Sequence, residues 1–230
     1  MTRRETLRPV GEPGPVLVML SFATGATDAF AFLALGGIFT ANMTGNLVLL
    51  SLFQRSAWLH TFLGASTAIL TFALALLLAF RFSDPRRSPH GSVLVLLTIA
   101  FGLQLATFFV WRVHDGAIPA FGLQIAVIAV SSAAMAVQTA AARRAGVDRN
   151  ISTTFVTGTL TGLMQDIADG IRGERWVRVW IVLALPAGAL AGALVMAAHP
   201  GWGALLPAAV LLICLGYAVH TANQQEDANP

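Results

Sequence analysis

Lysine is absent from this sequence, and cysteine and tyrosine occur once each. Charged residues make up only 11% of the 230 positions, whereas soluble domains carry about 25%. Hydrophobic residues make up 56% of the chain, and its mean hydropathy is +0.73. This shortage of charge excludes an ordinary soluble domain and predicts a membrane protein.

Other absences exclude most kinds of chemistry. The single cysteine, Cys214, cannot form an internal disulfide, and the five histidines lack metal-ligand spacing. The sequence contains no P-loop, no GxSxG and no GxGxxG. We therefore expect no catalytic residues, no metal and no cofactor, and we expect that the protein is not an enzyme. The arginines are too dispersed to form one basic face, so we also expect no nucleic-acid partner.

All fourteen basic residues are arginine, and twelve of them fall in four short clusters that apolar runs separate. Only Arg55 and Arg112 lie elsewhere. Short cytoplasmic loops of membrane proteins collect Lys and Arg, so these clusters report on topology. The clustered arginines are Arg3, Arg4, Arg8, Arg81, Arg86, Arg87, Arg143, Arg144, Arg149, Arg172, Arg175 and Arg178.

Six apolar runs are long enough to cross a bilayer, since a spanning helix needs roughly 20 residues. The first run could instead be a signal peptide ending at Ala29–Ala31, but we favour a retained helix. We expect tails at 1–14 and 223–230 around one transmembrane domain at 15–222. The predicted spans are about 15–36, 59–81, 92–111, 119–141, 177–198 and 203–221.

Two further apolar segments, about 43–54 and 155–168, are short for a full crossing. If both crossed, the chain would span eight times and the arginines would divide eight inside and six outside. If both are re-entrant, the chain spans six times, with twelve arginines inside and two outside. The second arrangement satisfies the positive-inside rule and places both termini in the cytoplasm.

The two halves of the chain resemble each other weakly. Ser21–Asp28 aligns on Ser131–Gln138, and Phe39–Leu47 aligns on Ser152–Leu160 after a three-residue insertion. Each repeat, about 15–112 and about 119–222, then predicts helix, half-helix, helix, helix. Three crossings per repeat is an odd number, so the second repeat must be inverted. The predicted fold is an all-α polytopic membrane protein with six transmembrane helices, two re-entrant half-helices and two inverted-topology repeats.

The segments Thr27–Phe30 and Gly36–Asn46 resemble a signature of the YoaK-like family of bacterial membrane proteins, which carry a domain of unknown function. Gln138 and Thr153–Gly158 are similar to the second signature of that family, although Thr159 departs from the asparagine that ends the first. The resemblance covers about residues 15–222. It implies a six-span protein of the bacterial inner membrane, and it implies no substrate.

Asp28 is the most conspicuous polar residue, because an ionisable side chain inside a span is costly and usually faces a cavity, a partner or an ion path. It is therefore a candidate for proton coupling. The alternative is a structural acid that is hydrogen-bonded to Thr24 or to main-chain N–H groups of a half-helix. Its repeat counterpart, Gln138, cannot titrate.

The Thr-Gly pairs at the starts of the two half-helices are the second candidate site, since helix N-termini present free N–H groups to anions or polar solutes. The alternative is simple capping by Thr44 and Thr157 and close packing by glycine. Gln104 and Gln124 either line a path or bond between helices. The residues predicted to form the substrate path are Asp28, Thr24, Asn42, Thr44, Gly45, Asn46, Gln138, Thr157, Gly158 and Thr159.

These features predict a transporter or channel for a small polar solute or anion, with the path between the two half-helix N-termini. The alternative function is a non-transporting membrane scaffold or assembly partner. Membrane lipid is an expected partner. Gly188 and Gly192 have GxxxG spacing, which serves either packing within one chain or a homodimer.

Overall fold

The computed structural model describes residues 13–83, 89–118, 120–145, 156–170 and 175–227. These residues form eight α-helices and one 3₁₀ turn at Pro200–Trp202, and no strand occurs among them. Helix α8 continues beyond the tail boundary expected at 222. The helices are α1 Pro13–Ala34, α2 Met43–Ser51, α3 Trp58–Phe82, α4 Pro89–Val113, α5 Phe121–Ala145, α6 Val156–Ala168, α7 Arg175–Ala198 and α8 Leu205–Asp227.

Six of these helices are long and apolar enough to cross a membrane, which confirms the number and approximate positions of the predicted spans. Helices α2 and α6 have only 9 and 13 residues. At the helical rise they reach about 14 and 20 Å, which is short of a ~30 Å hydrocarbon core. The two short segments are therefore short helices, as the sequence predicted.

The two halves of the chain make equivalent helix contacts. If each of α1–α4 is replaced by its counterpart in α5–α8, and the reverse, the same set of helix pairs results. Helix α1 packs on α7 as α3 packs on α5, and α4 packs on α5 as α8 packs on α1. The short helices follow the same rule, because α2 packs on α3 and α6 packs on α7. The remaining main helix pairs, α1 with α5 and α4 with α8, map onto themselves.

Contacts along the helices give their relative directions. Helices α1 and α7 are parallel, since Gly14 lies beside Val177 and Ala26 lies beside Gly192. Helices α3 and α5 are also parallel, with His60 against Phe121 at one end and Ser83 bonded to Arg144 at the other.

Helices α1 and α5 are antiparallel. Gln138, late in α5, donates to the carbonyl of Leu20 early in α1. Ser131, earlier in α5, bonds to Thr40, whose main-chain N–H binds Asp28 late in α1. Because α3 is parallel to α5, it follows that α1 and α3 run in opposite directions.

One end of the bundle carries most of the described arginines. The C-terminal ends of α3 and α5 and the N-terminal end of α7 meet there, and they carry Arg81, Arg143, Arg144, Arg175 and Arg178. Arg55 and Arg112 lie at the opposite end. Arg55 lies beside Gly37 after α1, and Arg112 lies over the Trp202 ring. The described arginines are therefore segregated as the sequence predicted, whereas which end is cytoplasmic stays a prediction.

Glycines bring the backbones of α1 and α7 into close contact. A Cβ atom added at Gly188 would overlap the main-chain oxygen of Phe22, and one added at Gly25 would overlap that of Leu185. At Gly192 an added Cβ atom would lie 3.0 Å from the Ala26 oxygen. The GxxxG spacing therefore serves packing within the chain.

Candidate functional site

The connection between α1 and α2 turns back into the bundle. Gly36 and Gly37 make the turn with φ angles of 85° and 74°, which favour glycine. The chain then returns to the level of Asp28, which lies about 9 Å below the end of α1 at the helical rise. Helix α2 runs back from that level, because Trp58 at the start of α3 donates its indole N–H to the carbonyl of Leu50.

The start of α2 lies near the middle of the bundle. Ala41 and Met43 pack with Phe72, Met135 and Ala136. These partners lie close to the midpoints of the 25-residue helices α3 and α5. The chain before α2 therefore descends without helical structure to mid-depth.

Asp28 binds this descending segment. Its Oδ1 atom accepts the main-chain N–H of Thr40 at 2.9 Å and that of Ala41 at 2.8 Å. Such bonds to a carboxylate are charge-assisted and satisfy N–H groups that lack a helical partner. Thr24, the other predicted partner of Asp28, donates instead to the Leu20 carbonyl of its own helix. The structure therefore shows the main-chain N–H partners that a structural role of Asp28 requires.

Two asparagines hold the start of α2. Asn42 is the N-cap, since its Oδ1 accepts the N–H of Gly45 at 3.1 Å. Asn46 is buried and bonds twice to the main chain of Phe39, accepting from its N–H at 3.0 Å and donating to its carbonyl at 2.6 Å. The expectation that Thr44 caps α2 is wrong, because Asn42 precedes the helix while Thr44 lies exposed in its first turn.

Gly45 permits close packing at the same place. A Cβ atom added there would lie 2.9 Å from the Phe39 ring and 3.0 Å from the Asn42 amide nitrogen. The ring of Phe39 in turn stacks on Phe32 of α1. Gly45 therefore packs against the loop that Asp28 and Asn46 hold.

Helix α5 completes the site from the other side. Gln138 donates its amide N–H groups to the Leu20 carbonyl and to Thr24 Oγ1, both at 3.0 Å. Ser131 donates to Thr40 Oγ1 at 3.2 Å. We define the polar seam as Thr24, Asp28, Thr40, Ser131 and Gln138, where α1, the α1–α2 loop and α5 meet.

Three buried residues near this level have polar side-chain atoms without a hydrogen-bond partner. Gln104 lacks partners at both amide atoms, and Ser132 Oγ and Gln138 Oε1 are also unpartnered. Gln104 lies on α4, which packs on α5, and each of the three lies within five residues of its helix midpoint. Buried polar groups are normally satisfied, so unpaired ones call for water, a ligand or a functional role. Gln104 and Gln138 are conspicuous in the sequence as amide side chains within apolar runs, whereas Ser132, Ser131 and Thr40 have no distinctive pattern.

The second Thr-Gly pair is in a different environment. Thr157 and Gly158 are exposed at the start of α6, whereas Thr159 is buried. At its other end α6 is fixed to α7, where Asp166 pairs with Arg178 at 3.0 Å and its carbonyl accepts from Arg175.

The expectation that the two half-helix starts face each other stays a prediction. Helix α2 packs on α3 and α6 packs on α7, and α2 and α6 are not a principal helix pair within the described ranges. Residues 151–155, which include part of the predicted second loop, lie outside them. Nothing in this geometry supports a path between facing N-termini, and no cluster suited to a metal occurs in the described residues.

Comparison with known proteins identifies the relatives of the chain. Residues 16–218 match a family model described as a protein of unknown function, DUF1275. The chain is 32% identical over 153 residues to the UPF0700 transmembrane protein YoaK of Bacillus subtilis (strain 168). The aligned segment covers 66% of this chain and 66% of that protein. No solved structure matches the chain.

Proposed function

This chain belongs to the DUF1275 family of membrane proteins, and we propose that it is a carrier for small, uncharged polar solutes. The path runs through the middle of the bundle, past the polar seam and the unpaired side chains of α4 and α5. The observation that carries the proposal is the set of unpartnered amide and hydroxyl atoms on Gln104, Ser132 and Gln138.

The proposal includes two inverted repeats, each with a re-entrant half-helix, because this plan recurs in secondary transporters. The opposite directions of α1 and α3 support a re-entrant α2, since a crossing α2 would make them parallel. The antiparallel pairing of α1 with its repeat counterpart α5 and the exchangeable contacts support inversion.

The chemistry of the unpaired atoms favours an uncharged solute. Amide and hydroxyl groups offer donors and acceptors without a net charge. The one carboxylate of the seam, Asp28, already accepts two main-chain N–H groups. Proton coupling through Asp28 remains part of the proposal, and it is tested separately from solute passage.

The test is a flux screen of small polar solutes in proteoliposomes, with and without a pH gradient. Gln104→Leu is the informative variant, because it replaces a buried side chain whose polar atoms are both unpartnered. Removing such a group costs little stability, so we expect normal thermal stability in detergent and at least tenfold slower flux. Gln124→Leu, near the Arg55 end of the bundle beside Gly36, is the matched control and should retain flux.

The second candidate is a non-transporting scaffold, and the close glycine-mediated contact of α1 with α7 favours it. A scaffold would show no flux of any solute above that of empty liposomes. Gln104→Leu would then show the same absence of flux as the unaltered protein.

A further inference from the structure

A cleft between α3 and α4 lies apart from the polar seam. Both helices pack on α5 but share little contact with each other in the described residues. The resulting space has a volume of about 750 Å³, and Ala133 and Val137 of α5 form its floor. That volume is within the range of about 300–1,000 Å³ typical of ligand sites.

The lining of the cleft is polar at one end only. Arg81, Ser83 and Ser92 lie at the arginine-rich end of the bundle. From there the cleft follows α4 as far as Leu103, a distance of about 18 Å from Gly91 at the helical rise. The remaining lining residues are apolar, and no acidic side chain occurs among the described ones. The cleft thus suits a molecule with an anionic head and a long apolar tail.

Two arginines lie at or beside the mouth of the cleft. Arg81 lines it directly and is exposed. Arg144 of α5 donates to the carbonyl of Ser83 at 2.7 Å and to that of Phe80 at 3.1 Å. Arg144 is therefore engaged with the end of α3 and positions the mouth, while Arg81 is the side chain available to a headgroup.

The side of the cleft faces the bilayer. Leu78, Val95 and Ile99 line it and are also exposed on the apolar surface of the bundle, at 43%, 58% and 46%. A tail can therefore enter laterally from the hydrocarbon core. Basic pockets between membrane helices commonly hold anionic lipid headgroups.

We propose that this cleft binds one anionic phospholipid of the surrounding membrane, with its phosphate at Arg81 and an acyl chain between α3 and α4. The phosphate gains a charge-assisted contact with a guanidinium. The tail covers apolar surface of α3, α4 and α5 that the protein leaves open. This site does not depend on transport, since none of its lining residues belongs to the polar seam.

The test is native mass spectrometry of the detergent-purified protein titrated with phosphatidylglycerol or phosphatidylcholine. We expect one tightly retained phosphatidylglycerol and a preference over phosphatidylcholine. Arg81→Gln should reduce that preference about fivefold, the usual contribution of one basic residue at a membrane surface. Arg55→Gln removes the same charge at the opposite end and should leave the preference unchanged. Ile99→Trp, at the exposed edge, should weaken retention of both lipids.

Three results would overturn the proposal. Arg81→Gln and Arg55→Gln could have equal effects, which would indicate charge attraction without a site. Both lipids could bind the unaltered protein equally, which would indicate general solvation by lipid. Oleate could displace phosphatidylglycerol at equal stoichiometry, in which case the ligand is a free fatty acid and the phospholipid assignment is wrong.

Discussion

Asp28 illustrates how a membrane segment accommodates a carboxylate. A charged group within a span is costly unless it has partners, and a descending loop without helical structure leaves main-chain N–H groups that also need partners. Here the carboxylate and the main-chain N–H groups satisfy each other, because Asp28 Oδ1 accepts from both Thr40 and Ala41. The same residue can thus be essential for the loop without touching a solute.

Asparagine and alanine substitutions at Asp28 separate these roles. Asp28→Asn retains an oxygen that can accept both N–H groups, so we expect normal expression and near-normal thermal stability in detergent. Asp28→Ala leaves two N–H groups without their partner and should cost about 2–4 kcal/mol. If Asp28 couples protons, Asp28→Asn should also abolish the pH dependence of flux. Equal loss of stability in both variants would contradict the hydrogen-bonding account.

At the level of single residues, the sequence predicted the segment that forms the site, Asp28 to Asn46, but not the role of each residue in it. Asp28 is conspicuous from the sequence alone, because an acid within an apolar run is costly in a membrane. The choice of Asn42 over Thr44 as N-cap depends on where α2 begins, and one residue of offset changes the cap. The double bond of Asn46 to Phe39 requires the loop to fold back, which no local pattern encodes.

At the level of helices, the C-terminal end of α3 depends on α5. The last carbonyls of a helix have no partner within it, and Arg144 supplies donors to those of Phe80 and Ser83. Its guanidinium also lies over the Phe80 ring. These contacts form whichever side of the membrane this end of the bundle faces.

Removal of Arg144 should therefore loosen the end of α3. We expect Arg144→Ala to lower stability in detergent by about 1 kcal/mol, the usual net value of a partly exposed hydrogen-bonding group. Arg143→Ala is the matched control, since Arg143 is exposed and no bond from it occurs within the described residues. A similar loss in the two variants would show that net charge, not the contact with α3, is responsible.

The contact of α1 with α7 makes a second prediction at this level. Gly188→Leu must displace the main chain of Phe22, so its cost should reach or exceed the upper end of the range of about 1–3 kcal/mol for overpacking. Gly102→Leu on α4 is the control, because nothing lies within 4 Å of a Cβ atom added there. Thermal melting in detergent compares the two. A stable Gly188→Leu protein would mean that α1 and α7 are not in close contact.

The helices themselves were predictable because their lengths are set by the thickness of the bilayer and by local apolar runs. The partners of α2 and α6 were not. Apolar length does not specify which neighbour a short helix packs on. The described contacts assign α2 to α3 and α6 to α7, and that the starts of α2 and α6 face each other stays a prediction.

For the whole molecule, the arginine distribution and the helix directions are independent observations that agree. The distribution follows from the sequence, whereas the directions come from hydrogen bonds and ring contacts. Both fit six crossings, with five described arginines at one end of the bundle and two at the other. Eight crossings would require α1 and α3 to be parallel, so their opposite directions favour the six crossings proposed above.

Cysteine labelling tests this topology directly. Cys214 is buried, so single cysteines can be introduced with little background reaction. Cysteines at Arg55 and His114 should react with an impermeant maleimide in intact cells, because positive charge is retained inside. A cysteine at Arg86 should react only after the cells are lysed. Labelling of all three positions from outside would contradict six crossings. If only the cysteine at position 86 reacted from outside, the orientation in the membrane would be the reverse of the predicted one. The fold would be unaffected, since it depends only on relative helix directions.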